Sequence, residues 1–331
     1  MSAPPVHGGR LREAAQRHGI ALTDWLDLST GINPQPYPAP PIPPEIWQRL
    51  PEGDDGLEAA AAAYYGSKDL LPVAGTQAAI QTLPALLRGE RVSVLAPGYA
   101  EHAWAWRERA PRLCAPEALE AAIAHSDIVV VCNPNNPCGT RFATAQLTDW
   151  YRKLAARGGW LIVDEAFIDV TPEDSLAPQA GEPGLIVLRS PGKFFGLAGA
   201  RAGFVFGPAE LRARLAEHLG PWAVSGPARH ALRAALADHA WQDTARARLA
   251  DSAAQLAALL SSRGLQPHGT ALFQRVLTPH AELLADRFAG QGVLVRRFAE
   301  PAALRFGLPA NSAELTRLAS TLDHALTGTP R

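Results

Sequence analysis

Short apolar runs alternate along this chain with longer segments in which alanine and leucine recur at helical spacing. Val92-Ser93-Val94-Leu95, Ile128-Val129-Val130-Val131-Cys132 and Trp160-Leu161-Ile162-Val163-Asp164 read as strands. Their near-continuous apolar character is that of strands buried on both faces of a parallel sheet. Helical patterns lie among them, at Glu58 to Tyr65 and from Thr76 onward. The alternation runs to about Phe206 and predicts an α/β fold with a mostly parallel sheet. Beyond Gly220-Pro221, the stretch Ala228 to Arg263 reads as alanine- and leucine-rich helix. It leads to a smaller α+β unit with the strand-like Gly292-Val293-Leu294-Val295 and a final helix near Ala313 to Leu326. The run from Pro34 to Pro44 is too dense in proline for a helix or a central strand and predicts an ordered crossing segment. The expected division is an N-terminal arm over 1–45, a large domain over 46–220 and a small C-terminal domain over 221–331.

Composition narrows the function classes. A chain of 331 residues is ample for a large core and a second domain. A net charge of −1, with no basic run, removes the electrostatic case for nucleic acid. No apolar run approaches membrane-spanning length, and Met1 to Val6 lacks an apolar signal core. The three cysteines, Cys114, Cys132 and Cys138, have neither zinc-type spacing nor the number for a disulfide framework. The ten histidines form no HExxH or similar ligand pairing, so no metal site is expected. These features together predict a cytoplasmic enzyme with a small-molecule substrate.

Lysine is rare here: Lys68, Lys153 and Lys193 are three among 31 basic residues. Arginine evidently serves wherever charge alone is needed, so a lysine among glycines and aromatics, in Ser190-Pro191-Gly192-Lys193-Phe194-Phe195-Gly196, points to its amine. An amine can lose its proton when desolvated and attack a carbonyl, which a guanidinium cannot. That chemistry suits a Schiff-base lysine holding pyridoxal 5'-phosphate. Asp164, at the end of an apolar run, can pair with a pyridine nitrogen and keep it protonated; N-capping a following turn is its alternative role. Asn136, in the rigid Asn133-Pro134-Asn135-Asn136-Pro137-Cys138-Gly139 loop, can donate to the cofactor's phenolate oxygen. Gly75 and Thr76, with Gln77 behind them, open a helical pattern whose first N–H groups can hold phosphate or be plainly capped. Ser190 and Arg201 flank Lys193 and add a hydroxyl and a guanidinium for the same dianion. Tyr99, after Ala96-Pro97-Gly98, can stack on the pyridine ring or be an ordinary core tyrosine.

The ordered set Gly75-Thr76, Tyr99, Asn136-Pro137-x-Gly139, Asp164-x-Ala166-Phe167 and Ser190-x-x-Lys193 through Arg201 resembles the fold-type I PLP-dependent enzymes over nearly the whole chain. It is most similar to the branch holding histidinol-phosphate aminotransferase and L-threonine-O-3-phosphate decarboxylase. His7-Gly8-Gly9-Arg10 and Leu26-Asp27-Leu28-Ser29-Thr30-Gly31-Ile32-Asn33-Pro34 look like the decarboxylase's opening motifs. The resemblance implies the fold-type I large domain with its smaller partner domain, PLP as cofactor and a homodimer. It implies decarboxylation of O-phospho-L-threonine to (R)-1-amino-2-propanol O-2-phosphate for cobalamin biosynthesis, with transamination of histidinol phosphate as the alternative. It further implies that His7, Gly8, Gly31 and Asn136 border the substrate. Arg305 would take the α-carboxylate, and Arg296 the phosphate with Arg297 as its rival. Phe167 stands where many relatives have a tyrosine, and Leu50 to Gly56 lacks the tyrosine that reaches a partner's cofactor phosphate.

Overall fold

A computed structural model describes residues 4–327, so Met1, Ser2 and Ala3 of the N-terminal stretch considered above lie outside it. The first strand, β1 (Leu26–Leu28), belongs to the smaller of two sheets. Seven strands of the larger sheet follow: β2 (Leu70–Val73), β3 (Val92–Leu95), β4 (Arg112–Cys114), β5 (Ile128–Cys132), β6 (Trp160–Asp164), β7 (Leu185–Arg189) and β8 (Gly203–Phe206). The remaining strands, β9 (Pro267–Thr270), β10 (Phe273–Leu277), β11 (Val293–Phe298) and β12 (Ala303–Gly307), complete the smaller sheet.

The larger sheet runs β2-β8-β7-β6-β5-β3-β4 and lies in a unit comprising Pro36–Asn136 and Thr140–Asp243. From β7 to β4 every pairing is parallel, while β8 is antiparallel to both β7 and β2. The apolar runs explain this placement. Every residue of β5 and β7 is buried, as strands covered on both faces must be. The helix Thr76–Leu86 buries Ala79, Ile80, Leu83 and Leu86 in the same core as Val94, Val130, Ile162 and Leu188. Pro34 to Pro43 forms no helix or strand, and a short helix, Pro44–Gln48, follows. Tyr37 fixes this stretch: its N–H donates to Phe195 O at 2.8 Å, and its ring meets Phe195 and Trp241 edge-on.

The second unit comprises the described residues up to Gln35, Pro137–Gly139 and the chain from Thr244 onward. Its sheet runs β1-β11-β12-β10-β9, with β1 parallel to β11 and the remaining pairs antiparallel.

The unit boundaries fall differently from the expected arm, large domain and small domain. Residues before Gln35 join the C-terminal unit because β1 gives the open edge of β11 a hydrogen-bonding partner. The helix Gly226–Ala237 belongs with the larger sheet, where Arg229 pairs with Asp55 and Glu58 at 2.7 and 2.6 Å. The Ala228-to-Arg263 stretch is two helices rather than one, Gly226–Ala237 and His239–Ser261. Asp238 leaves helical geometry at ψ 79°, and its Oδ1 accepts from Trp241 N at 3.0 Å, restarting the helix.

Candidate active site

The four adjacent parallel strands β3, β5, β6 and β7 end on one edge of the larger sheet, and each delivers chemistry just past its carboxyl end. β3 leads to Tyr99, β5 to Cys132 and Asn136, β6 ends on Asp164, and β7 leads to Ser190 and Lys193. Open α/β sheets bind ligands at this edge because the strand ends and helix starts leave backbone and side-chain polar groups there. β2 contributes Gly75 and Thr76, and Arg201 lies two residues before β8. One cavity is lined by Gly75, Thr76, Gln77, Tyr99, Asn136, Asp164, Ser190, Lys193 and Arg201, every cofactor residue expected from the sequence. Cys132, Ala166 and Phe167 complete its wall.

Local sequence holds each group in place. Asp164 is 3 % exposed; its Oδ1 accepts from Ala166 N at 3.1 Å, and its Oδ2 lies 2.9 Å from His102 Nε2. The turn role and a role in the cavity therefore fall on one carboxylate, which His102 orients from the side. Tyr99 O–H donates to Gln77 Oε1 at 3.3 Å, and Gln77 Nε2 donates to buried Glu101 at 2.7 Å. Burial, with Asp164 and Glu101 adding to it and Arg201 opposing, raises the Tyr99 hydroxyl above its ordinary pKa, so it stays protonated. Lys193 sits in the one-turn helix Pro191–Phe194, where a Cβ on Gly192 would come within 2.8 Å of the Ala198 Cα. Phe195 beneath it stacks on Trp241 at 5.5 Å. Below the same loop, buried Arg189 pairs with Glu165 and Asp169 and lies 4.4 Å over the Tyr65 ring. Burial raises the Glu165 pKa against the pull of Arg189.

At the cavity's other end Gly75 has φ 73° and ψ 154°, a conformation open to glycine alone. A Cβ there would come within 2.7 Å of Arg201 Nη2. Gly203 likewise keeps clear of Thr76 N, which its Cβ would approach to 2.8 Å. Backbone, helix start and guanidinium thus converge where no side chain could intervene.

Within the second unit, Arg296 and Arg305 lie directly opposite each other on β11 and β12. Arg296 donates to Val6 O, beside His7, and Arg305 Nη2 donates to Ser29 O at 2.9 Å, two residues before Gly31. Gly8 packs on the same turn, since a Cβ on it would meet Ser29 O at 2.4 Å, and Gly9 N donates to Ser29 Oγ at 2.8 Å. Arg305 is 7 % exposed, and burial together with Arg296 lowers its pKa to about 10. Burial, then Arg10 and Arg297, also lowers that of Arg296. Arg297, the rival, alternates to the other face of β11 and pairs with Glu282 at 2.8 Å.

A model of the family described as aminotransferase class I and II matches residues 49–322. The chain belongs to this family. It is 54% identical to a threonine-phosphate decarboxylase of Pseudomonas aeruginosa over 319 residues, covering 96% of each chain. It is 43% identical to the threonine-phosphate decarboxylase of a Sinorhizobium species, over 97% of this chain and 98% of that one. Among solved structures, histidinol-phosphate aminotransferase from Sinorhizobium meliloti, in complex with pyridoxal-5'-phosphate, matches with a TM-score of 0.81 at 21% identity. That match covers 98% of this chain and 96% of the other and shows a shared fold.

The cavity suits pyridoxal 5'-phosphate, the cofactor expected from Lys193 and its neighbours. It presents one amine, one buried carboxylate, one guanidinium, three hydroxyls and the N-terminus of the helix Thr76–Leu86, with glycine wherever backbone must approach. His102 and Glu101 were missed in the sequence because neither ends an apolar run. His102 stands three residues after Tyr99 on one helical face, which is the only local sign of it.

Proposed function

We propose that this aminotransferase-family enzyme decarboxylates O-phospho-L-threonine to (R)-1-amino-2-propanol O-2-phosphate with pyridoxal 5'-phosphate. The observation that carries the reading is its 54% identity, over nearly the whole of both chains, to a threonine-phosphate decarboxylase. The N-terminal motifs around His7 and Gly31 and the paired Arg296 and Arg305 support it.

In this reading Lys193 would hold the cofactor covalently, and Thr76, Ser190, Arg201 and the helix start would hold its phosphate. Tyr99 would cover the ring, Asn136 would donate to the phenolate oxygen, and Asp164 would keep the ring nitrogen protonated. When bound, the cofactor supplies an electron sink for the pair left by a bond broken at the substrate Cα. The chain chooses which bond that is. Arg305 would bind the carboxylate and fix its orientation about Cα, while Arg296 and His7 would anchor the phosphate, with Gly8, Gly31 and Asn136 lining the substrate. Once the substrate amine had replaced Lys193 on the cofactor, the Cα–carboxylate bond would be the one to break, CO₂ would leave, and the freed Lys193 Nζ would return a proton to Cα. The protein works in the cytoplasm as a homodimer. Trp47, Leu50 and Trp222 are large apolar side chains exposed by 58–67 %, more than a finished surface needs.

The test compares kcat/KM for O-phospho-L-threonine and histidinol phosphate on purified enzyme. Preference for the first, with an amine as product, is expected. Preference for the second, with a keto-type product, would mean the family's aminotransferase activity is retained here.

A further inference from the structure

Arg275 lies in β10 directly opposite Arg305 in β12, which is itself opposite Arg296 in β11. Residues directly opposed in antiparallel strands share a sheet face, with Cβ atoms roughly 4.5–5.5 Å apart. The sheet therefore carries three arginines in one row of the same face, with Arg305 at the centre. Phe273 and Phe298 flank the central one at 5.1 and 5.9 Å from its guanidinium carbon. Arg275 is 8 % exposed, yet its Nε and Nη2 have no hydrogen-bond partner among the described residues. Nη1 reaches the Cys138 sulfur at 3.2 Å, a weak acceptor. Neither Arg275 nor Arg296 has a carboxylate within ion-pair distance among the described residues.

A buried cation with open donors and no fixed counter-ion is costly unless an anion reaches it from outside. The substrate of the proposed reaction carries one carboxylate charge and about 1.5 to 2 phosphate charges. Two guanidinium groups leave that total short, and three match it. We propose that Arg275 is a further substrate-binding residue, a second guanidinium that shares the α-carboxylate with Arg305. This inference rests on the proposed function. Its position decides the anion: Arg275 adjoins Arg305 on the side away from Arg296, so it serves the carboxylate end. Two cations on that end select substrates with an α-carboxylate over phosphorylated amino alcohols. Loss of CO₂ leaves the two guanidinium groups facing a ligand without a carboxylate, which favours release of the product.

The test uses cofactor-loaded enzyme and the variant R275M, reading KM for O-phospho-L-threonine and the inhibition constant of 1-amino-2-propanol O-2-phosphate. The product keeps the phosphate and lacks the carboxylate. KM should rise roughly 10- to 100-fold, the scale of one charge-assisted hydrogen bond. The product's inhibition constant should stay within about threefold, close to measurement scatter. Thermal stability of the ligand-free form should hold or rise, since methionine removes an uncompensated buried charge. R275K, which keeps the charge but not the fork, should fall between the two and serves the same comparison if R275M does not fold. An unchanged KM, a parallel rise in both constants, or a fall in Tm with both would overturn the assignment. Wild-type enzyme inert on O-phospho-L-threonine would remove the proposed function and this inference together. Active wild type with an equal variant would remove the inference alone.

Discussion

In the proposed mechanism Lys193 and Asp164 divide the chemistry, and their variants should fail in different ways. Lys193→Ala should abolish turnover, and borohydride should couple the cofactor to a Lys193 peptide in wild-type enzyme, read by mass spectrometry. Full activity in that variant would contradict the mechanism. Asp164→Asn keeps the shape but loses the charge, and a rate loss of roughly 10²–10³ is expected for one preorganised electrostatic group. His102 acts through Asp164, at 2.9 Å in a site where both are buried. His102→Ala should cost about 1–3 kcal/mol in kcat/KM, as for one buried partner left unmet. It should also move the pH dependence of the cofactor's absorbance, which a purely structural histidine would not. Most of the residues that line the cavity were legible because they follow apolar runs, and their order repeats a known pattern. His102 and Arg275 were not. Their meaning comes from Asp164, 62 residues away, and from Arg305 on a neighbouring strand.

Elements place these residues, and two loops carry testable weight. Gly75 lies between β2 and the helix Thr76–Leu86 in a conformation that disfavours any Cβ. Gly75→Ala should cost about 1–3 kcal/mol of stability from that strain. It should also weaken cofactor retention, because the new methyl meets Arg201. Equilibrium unfolding and dialysis against cofactor-free buffer read the two effects. Asp127, just before β5, accepts from the backbone N–H groups of Glu90 and Arg91 at 3.1 and 3.0 Å and from the Arg91 side chain. The Arg91 hydrogen bond holds its carboxyl down, at about 2 against an ordinary 3.8. A depressed folded pKa means the contribution is complete above about 4 and is lost as pH falls toward about 2. Asp127→Asn should therefore flatten the Tm profile over that acid interval and nowhere else. Strands β3, β5 and β6 were legible from their apolar runs, with the ends the sequence suggested. The break at Asp238 was not, because alanine and leucine keep their helical spacing across it.

At the scale of the whole chain, the α/β class and the mostly parallel sheet followed from alternation alone. The sequence did not disclose that the first residues build the C-terminal unit. Pairing of β1 with β11 joins positions more than 260 residues apart, and only the fold brings them together. A homodimer should appear in light scattering, and an active monomer at assay concentration would refute it. The identity of the enzyme's reaction turns on which bond at Cα breaks. Its most direct measurement uses O-phospho-L-threonine labelled with ¹³C at the carboxylate, turned over by purified enzyme in D₂O. Decarboxylation gives stoichiometric ¹³CO₂, one deuterium at the former Cα of 1-amino-2-propanol O-2-phosphate, and a cofactor that returns unchanged. Label retained in a keto acid, with the cofactor left in its amine form, would contradict it.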